Sequence, residues 1–439
     1  MFGFHGNRWE SMLVAGFGLI VVGGCSSTEQ GKAQQASAGR EVAVVAGELR
    51  ADVETLASEA FGGRETGTEG EQQAAEWLSE SFARFGLTPK GDSAAFQTFR
   101  YKPHPPMQMH GDTTKQLGMA LVKEIVGQNV LYHLDGSNPV KAKPTGVVGA
   151  HYDHLGYGDE NSLFRGEPTI HFGADDNASG VAVMLELAER FAQSPTEDNL
   201  FFAGFSGEEK GLWGSNQFCE TPTIPLESIR YMINMDMVGR LRGDTLAVYG
   251  TGTTPEWMNL LEACNEEGFI LVPSESGVGP SDHTSFYLED IPVLHFFTGQ
   301  HPDYHRPTDT ADKLNYEGMA RIANFIERLM RTLDATPELP FTATADQDNE
   351  STPSFKVTLG VVPDYLYSGE GMRIDGLTEG RPASNAGMQR GDIVVKIDTL
   401  KVVDMMSYMQ ALGIYEAGQT ATVDVLRNNE TITLEVLWD

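Results

Sequence analysis

Thr145-Gly-Val-Val-Gly-Ala150, a short apolar run, leads straight into His151-Tyr152-Asp153-His154, and the arrangement returns twice further along the chain. Asn199 to Phe205 leads into Ser206-Gly207-Glu208-Glu209, and Arg230 to Met235 into Asp236; Ile291 to Phe297 is a fourth β-rich run. Gly180 to Ala192 and Leu314 to Leu333 instead carry apolar residues at helical spacing. This alternation predicts an α/β fold, a three-layer αβα domain with a mostly parallel or mixed sheet covered by helices. In such sheets ligands bind outside the carboxyl ends of the strands. The His, Asp and Glu residues that follow the runs should therefore converge on one rim. Gly173-Ala-Asp-Asp176-Asn-Ala-Ser-Gly180 precedes a predicted helix and brings another carboxylate to it. Imidazoles and carboxylates without cysteine form a donor set for a borderline cation, zinc above all.

Composition narrows the field. The 439 residues hold 62 acids against 31 bases, a formal net charge of -31. A nucleic-acid binder needs a basic face, so that class is excluded. Three cysteines, at 25, 219 and 264, exclude a disulfide scaffold and a thiolate zinc cluster. Met12 to Val22 is almost wholly apolar, yet at about 1.5 Å per residue it is too short to cross a bilayer core of about 30 Å. Residues 1–24 read as an export signal. Val22-Gly23-Gly24-Cys25 resembles a bacterial lipoprotein box, which implies lipidation of Cys25 and a place in the cell envelope; a plain secretory signal and an uncleaved anchor are the alternatives. Residues 25–44, rich in Ser, Gln, Ala and Gly, are then a solvated tether. Whether Cys219 and Cys264 pair after export stays open.

Five ordered motifs carry a family resemblance: His151-x-Asp153; Gly-Ala-Asp-Asp176-Asn-Ala-Ser-Gly; Gly-Glu208-Glu209-x-Gly-x-x-Gly-Ser; Asn-x-Asp236-Met-x-Gly; and Tyr304-His305-x-x-x-Asp309-Thr. Together they resemble the secreted co-catalytic dizinc aminopeptidases across residues 45–340. The resemblance implies two Zn2+ ions, with Asp176 bridging them, His151 and Asp236 completing one and Glu209 and His305 the other. It also implies Glu208 as general base, Tyr304 as the phenol that steadies the tetrahedral intermediate, and a cis peptide after Asp176. The residues agree with those roles. Glu208 and Glu209 are neighbours whose side chains diverge in an extended segment, so one can hold metal while the other faces water. Asp153 lies on the His151 side of an extended chain and is placed to fix that imidazole's tautomer. His154, Asp175, His283 and Asp309 are left without a single role: Asp175 as support of the turn and Asp309 as support of His305 are the readings. Ser281-Asp282-His283 is expected in the pocket wall, because no nucleophile elbow accompanies it.

Residues 341–354 read as a linker, and 355–439 as a second, small, mainly β domain. Gly380-Arg-Pro-Ala-Ser-Asn-Ala-Gly387-Met-Gln-Arg-Gly391-Asp392-Ile393 resembles a PDZ domain of the type appended to bacterial proteases. Pro382 should start a short helix, Gly387 end it, and Thr420 to Leu426 pair with Glu430 to Leu437 as a hairpin. The resemblance implies a C-terminal peptide ligand; packing or spacing alone is the other role. For the whole chain the expected substrates are peptides with a free N-terminus. Dipeptidase or carboxypeptidase action, acyl transfer of the glutaminyl cyclase kind, and a non-catalytic peptide-binding lipoprotein are the competing functions.

Overall fold

The computed structural model describes residues 27–101, 124–138, 144–158, 161–164, 166–336, 339–344, 357–363, 367, 369–377, 380–403 and 405–438. The export signal and Cys25 lie outside the described residues. Ser27 to Arg40, read from composition as a solvated tether, has helical backbone within α1 (Ser27–Leu56). Ala, Gln, Glu and Arg in that stretch are good helix formers, a local preference that a tally of polar residues overlooks.

The first sheet has nine strands among the described residues: β1 (Thr88–Pro89), β2 (Phe96–Tyr101), β3 (Ile125–Leu134), β4 (Thr145–His151), β5 (Asn199–Phe205), β6 (Ile229–Met235), β7 (Thr245–Tyr249), β8 (Ile270–Ser274) and β9 (Val293–Phe297). Their order is β1-β3-β5-β4-β6-β9-β7-β8, with β2 also on β3. The central strands β5, β4, β6 and β9 are parallel, and β3 and β7 flank them antiparallel, so the sheet is mixed. His151 pairs with Phe205 and Asn234 with His295, which brings the polar ends of all four central strands to one edge.

Side-chain alternation sorts the two faces. Val148, Phe202, Ile233 and Phe296 enter one core with the helices α2 (Glu69–Arg84), α3 (Gly180–Gln193), α5 (Trp257–Cys264) and α7 (Tyr316–Asp334). Val147, Phe201, Met232 and Val293 enter the other with α4 (Trp213–Glu220) and α6 (His283–Tyr287). Cys219 belongs to the second core and Cys264 to the first, and both are free thiols.

The predicted linker starts tied down. Phe341 packs on Tyr287 with ring centroids 5.6 Å apart, Thr342 N–H donates to Thr253 O, Thr344 N–H donates to the Tyr287 hydroxyl, and Gly277 N–H donates to Thr344 Oγ1. The second sheet runs β10-β11-β12-β14-β15, with β13 on β12: β10 (Val361–Pro363), β11 (Met372–Leu377), β12 (Ile393–Ile397), β13 (Leu400–Lys401), β14 (Thr420–Arg427) and β15 (Glu430–Leu437). Two helices join it, α8 (Pro382–Asn385) and α9 (Met405–Leu412). The closing hairpin turns over Asn428-Asn429, both with positive φ (51° and 65°), which is the primed two-residue turn that asparagine favours.

Candidate metal centre

Asp176 sits in the irregular turn that links Gly173 to α3, and the turn is stitched to the end of β6. Asn177 Nδ2 donates to Met235 O, Gly180 N–H and Met237 N–H donate to Asn177 Oδ1, and Val238 N–H donates to Ser179 Oγ. Gly180 is required there, because a Cβ would lie 2.4 Å from Met235 O. The Asp176–Asn177 peptide is cis.

With the turn so held, the two oxygens of Asp176 face opposite ways. Oδ1 lies 3.4 Å from His151 Nε2, and that nitrogen lies 3.3 Å from Asp236 Oδ1. Oδ2 lies 3.3 Å from His305 Nε2, which in turn lies 3.1 Å from Glu209 Oε2. All five ligands expected from the sequence thus fall into two half-sites that share one carboxylate. Burial alone would raise the Asp176 carboxyl, but the two imidazoles hold it well below the usual range. Burial likewise opposes the charge on Glu209, and His305 with His154 brings it down to about 2.

Zinc fits this donor set. His151 Nε2 and Asp236 Oδ1 are buried and make no hydrogen bond among the described residues. Their 3.3 Å separation matches the edge of a tetrahedron with zinc–ligand bonds of about 2.0–2.2 Å.

Glu208 stands beside the first half-site with Oε2 3.9 Å from His151 Nε2. Burial pushes its carboxyl well above the usual range; His151 opposes this, while Asp236 and Glu209 add to it. The two adjacent glutamates do diverge, but in a turn rather than in extended chain: Gly207 has φ 76°, and Gly211 and Leu212 N–H both donate to Glu208 O. Asp153 Oδ1 lies 3.6 Å from His151 Nδ1, and its other oxygen accepts from Thr66 Oγ1. The Tyr304 ring stacks on His305 at 3.8 Å and lines the cleft with Met237, Tyr249, Pro280, His295 and Phe297.

One expectation changes at the turn. Asp309 does not support His305; its Oδ2 accepts from the backbone N–H of Asp175 and Asp176, bracing the bridging turn. The His305 ring is held instead by Asn161, whose backbone carbonyl accepts from Nδ1 at 2.9 Å. Asp175 supports the turn as read, accepting from Gly239 N–H with its second oxygen 3.0 Å from His301 Nε2. Ser281, Asp282 and His283 do not line the cleft but are buried behind Pro280 and His295, which do: Asn234 Nδ2 donates to Ser281 Oγ, and His283 stacks on His295 at 4.5 Å; burial drives the His283 imidazole down to about 3.

Sequence reasoning missed Arg64. Its guanidinium is fully buried and donates to four backbone carbonyls: Nε to Tyr152, Nη1 to Leu56 and Phe172, and Nη2 to Gly173. It thereby staples the segment after β4 to the one before the Asp176 turn. No local signal marks it, since every partner is main chain.

The strand ends of the αβα sheet thus converge on paired imidazole and carboxylate groups that could hold metal ions. Residues 129–330 match the model of Peptidase family M28, and residues 354–437 match that of the PDZ domain. An uncharacterized protein of Escherichia coli, YfbL, is 28% identical over 224 residues, 43% of this chain and 66% of that one. A probable leucine aminopeptidase of Trichophyton verrucosum is 27% identical over 235 residues, 50% of this chain and 60% of that one. The chain therefore spans under two thirds of the length of either relative. A solved aminopeptidase from Aneurinibacillus sp. superposes with a TM-score of 0.52 at 19% identity, covering 68% of this chain and 96% of that one, which shows a shared fold.

Proposed function

We propose that the chain is a metallo-aminopeptidase, which hydrolyses N-terminal residues from peptides at a centre of two Zn2+ ions. One observation carries the reading: Asp176 presents Oδ1 to the His151–Asp236 pair and Oδ2 to the His305–Glu209 pair. His151, Asp176 and Asp236 would hold one ion, and Asp176, Glu209 and His305 the other. When bound, zinc lowers the pKa of its water and polarises the scissile carbonyl. Glu208 takes the proton of the attacking water and returns it to the leaving amine. Its raised affinity for a proton suits a group that must carry one between two partners. Tyr304, on the cleft wall beside His305, is the donor for the developing oxyanion. The substrate's α-ammonium fits the carboxylate side of the cleft, which favours removal of terminal residues. Met237, Tyr249 and Phe297 make the other side apolar and suit an apolar first residue.

Glu208→Gln tests the assignment. Zinc content should stay at two ions per chain while turnover of aminoacyl chromogenic substrates falls by about 10²–10⁴-fold; a variant that keeps wild-type turnover sinks it. We further propose that Cys25 is lipidated after export, checked by labelling cells with a tagged fatty acid and comparing Cys25→Ser. The second domain is proposed to take a peptide C-terminus as an added strand on β10, which ends its sheet among the described residues.

A further inference from the structure

His154 was assigned no role by its motif, yet it is fully buried against the second half-site. Its Nδ1 lies 2.7 Å from Glu209 Oε1, while Glu209 Oε2 is the oxygen that meets His305 Nε2 at 3.1 Å. The carboxylate is thus gripped by one oxygen and presented by the other. The imidazole itself has little room to move. His154 N–H donates to Arg64 O, and a Cβ on left-handed Gly173 would come within 2.5 Å of His154 Cδ2, so the ring is wedged against the entry to the Asp176 turn. The Arg64 guanidinium ties together the two segments that enclose it.

The carboxylate of the first half-site is backed differently. Asp236 Oδ1, the oxygen turned to His151, is buried without a hydrogen bond among the described residues, and the side chain hydrogen-bonded to Asp236 is the small Ser281 hydroxyl rather than a wedged imidazole; Asp153 stands 3.6 Å from His151 and not against Asp236. Hence the two halves differ in how their own residues are preorganised. We propose that His154 is the positioning residue of the second half-site: by holding Glu209 Oε1 it aims Oε2, and so sets the affinity of that metal position while leaving the first unaffected. The inference rests on the dizinc reading.

Second-sphere hydrogen bonds to metal ligands are worth about 10- to 100-fold in affinity. His154→Ala should therefore bind one zinc with wild-type affinity and the second about 10- to 100-fold more weakly, read by competition with a chromophoric chelator and by metal analysis after dialysis. His154→Asn puts an amide N–H close to the place of the imidazole Nδ1, and should restore much of the second affinity. Selective loss in the Ala variant with recovery in the Asn variant supports the proposal. Equal weakening of both positions, no weakening of either, or an Asn variant no better than Ala overturns it. Should the wild-type chain bind only one zinc, the dizinc reading itself fails, and that result is seen before any variant is compared.

Discussion

Arg64→Met is the most demanding test of how the site is built. The substitution keeps the length of an unbranched side chain and removes the fork that donates to the carbonyls of Leu56, Tyr152, Phe172 and Gly173. Each buried acceptor left without its donor costs about 1–3 kcal/mol. Taking the lower half of that range for carbonyls that relax or regain a water, the four together lose roughly 4–8 kcal/mol. Against this stands the cost of burying the cation. Burial brings the guanidinium down to about 10 from an ordinary 12.5, with Asp153, Asp176 and Asp309 opposing the fall. That depression is equivalent to about 3 kcal/mol, which the methionine recovers. The net expectation is a loss of roughly 1–5 kcal/mol, read as a lower urea midpoint at unchanged m-value. Arg64→Lys should recover only part of it, because an ammonium cannot reproduce the planar fork. An Arg64→Met protein as stable as the parent, or more stable, would refute the claim that this side chain holds the two segments together.

Two further outcomes are expected. Glu71 is buried, accepts from the Tyr152 hydroxyl and from Gln128 N–H, and burial raises its carboxyl to about 7 from an ordinary 4.5. The unfolded chain releases that proton above about pH 4.5, whereas the folded chain keeps it until about 7. The stability tied to Glu71 is therefore complete below the unfolded value and falls by roughly 3 kcal/mol as pH rises through the interval. Glu71→Gln should flatten this part of the profile in urea titrations at pH 5 and 8; equal pH slopes in the two proteins would count against it. Chelation should abolish turnover, and removing zinc held at 1,000 times its Kd should cost about 4 kcal/mol, or about 6 °C for a domain of some 300 residues. Zinc should restore both, and a melting temperature indifferent to chelator would contradict the metal assignment.

The four central strands and the helices α3 and α7 were legible because their apolar periodicity is a local property, and the polar residues closing β4, β5 and β6 followed from strand direction. What lay beyond the sequence is contact between distant segments. Asp309 stands four residues from His305, so support of that ring was the natural reading; the fold turns its carboxylate to the backbone of Asp175 and Asp176 instead. Arg64 was invisible because carbonyls carry no sequence signature. The divergence of Glu208 and Glu209 was foreseen for the wrong reason, since a left-handed Gly207 starts a turn where extended chain was assumed. His154 stayed ambiguous until Glu209, 55 residues on, was placed against it.

The docked start of the linker also has a mechanical meaning. Phe341, Thr342 and Thr344 hold to Tyr287, Thr253 and Gly277, and Gly277 lies three residues before Pro280 on the cleft wall. A pull on the chain beyond Thr344 is therefore delivered first to the segment that forms this wall. His151 at the end of β4 and Asp176 in its turn lie off that load path, whereas Ser281, next to Pro280, ties the wall to Asn234 at the end of β6. Tension transmitted from the second domain would reach the cleft entrance before it reached the bridging Asp176.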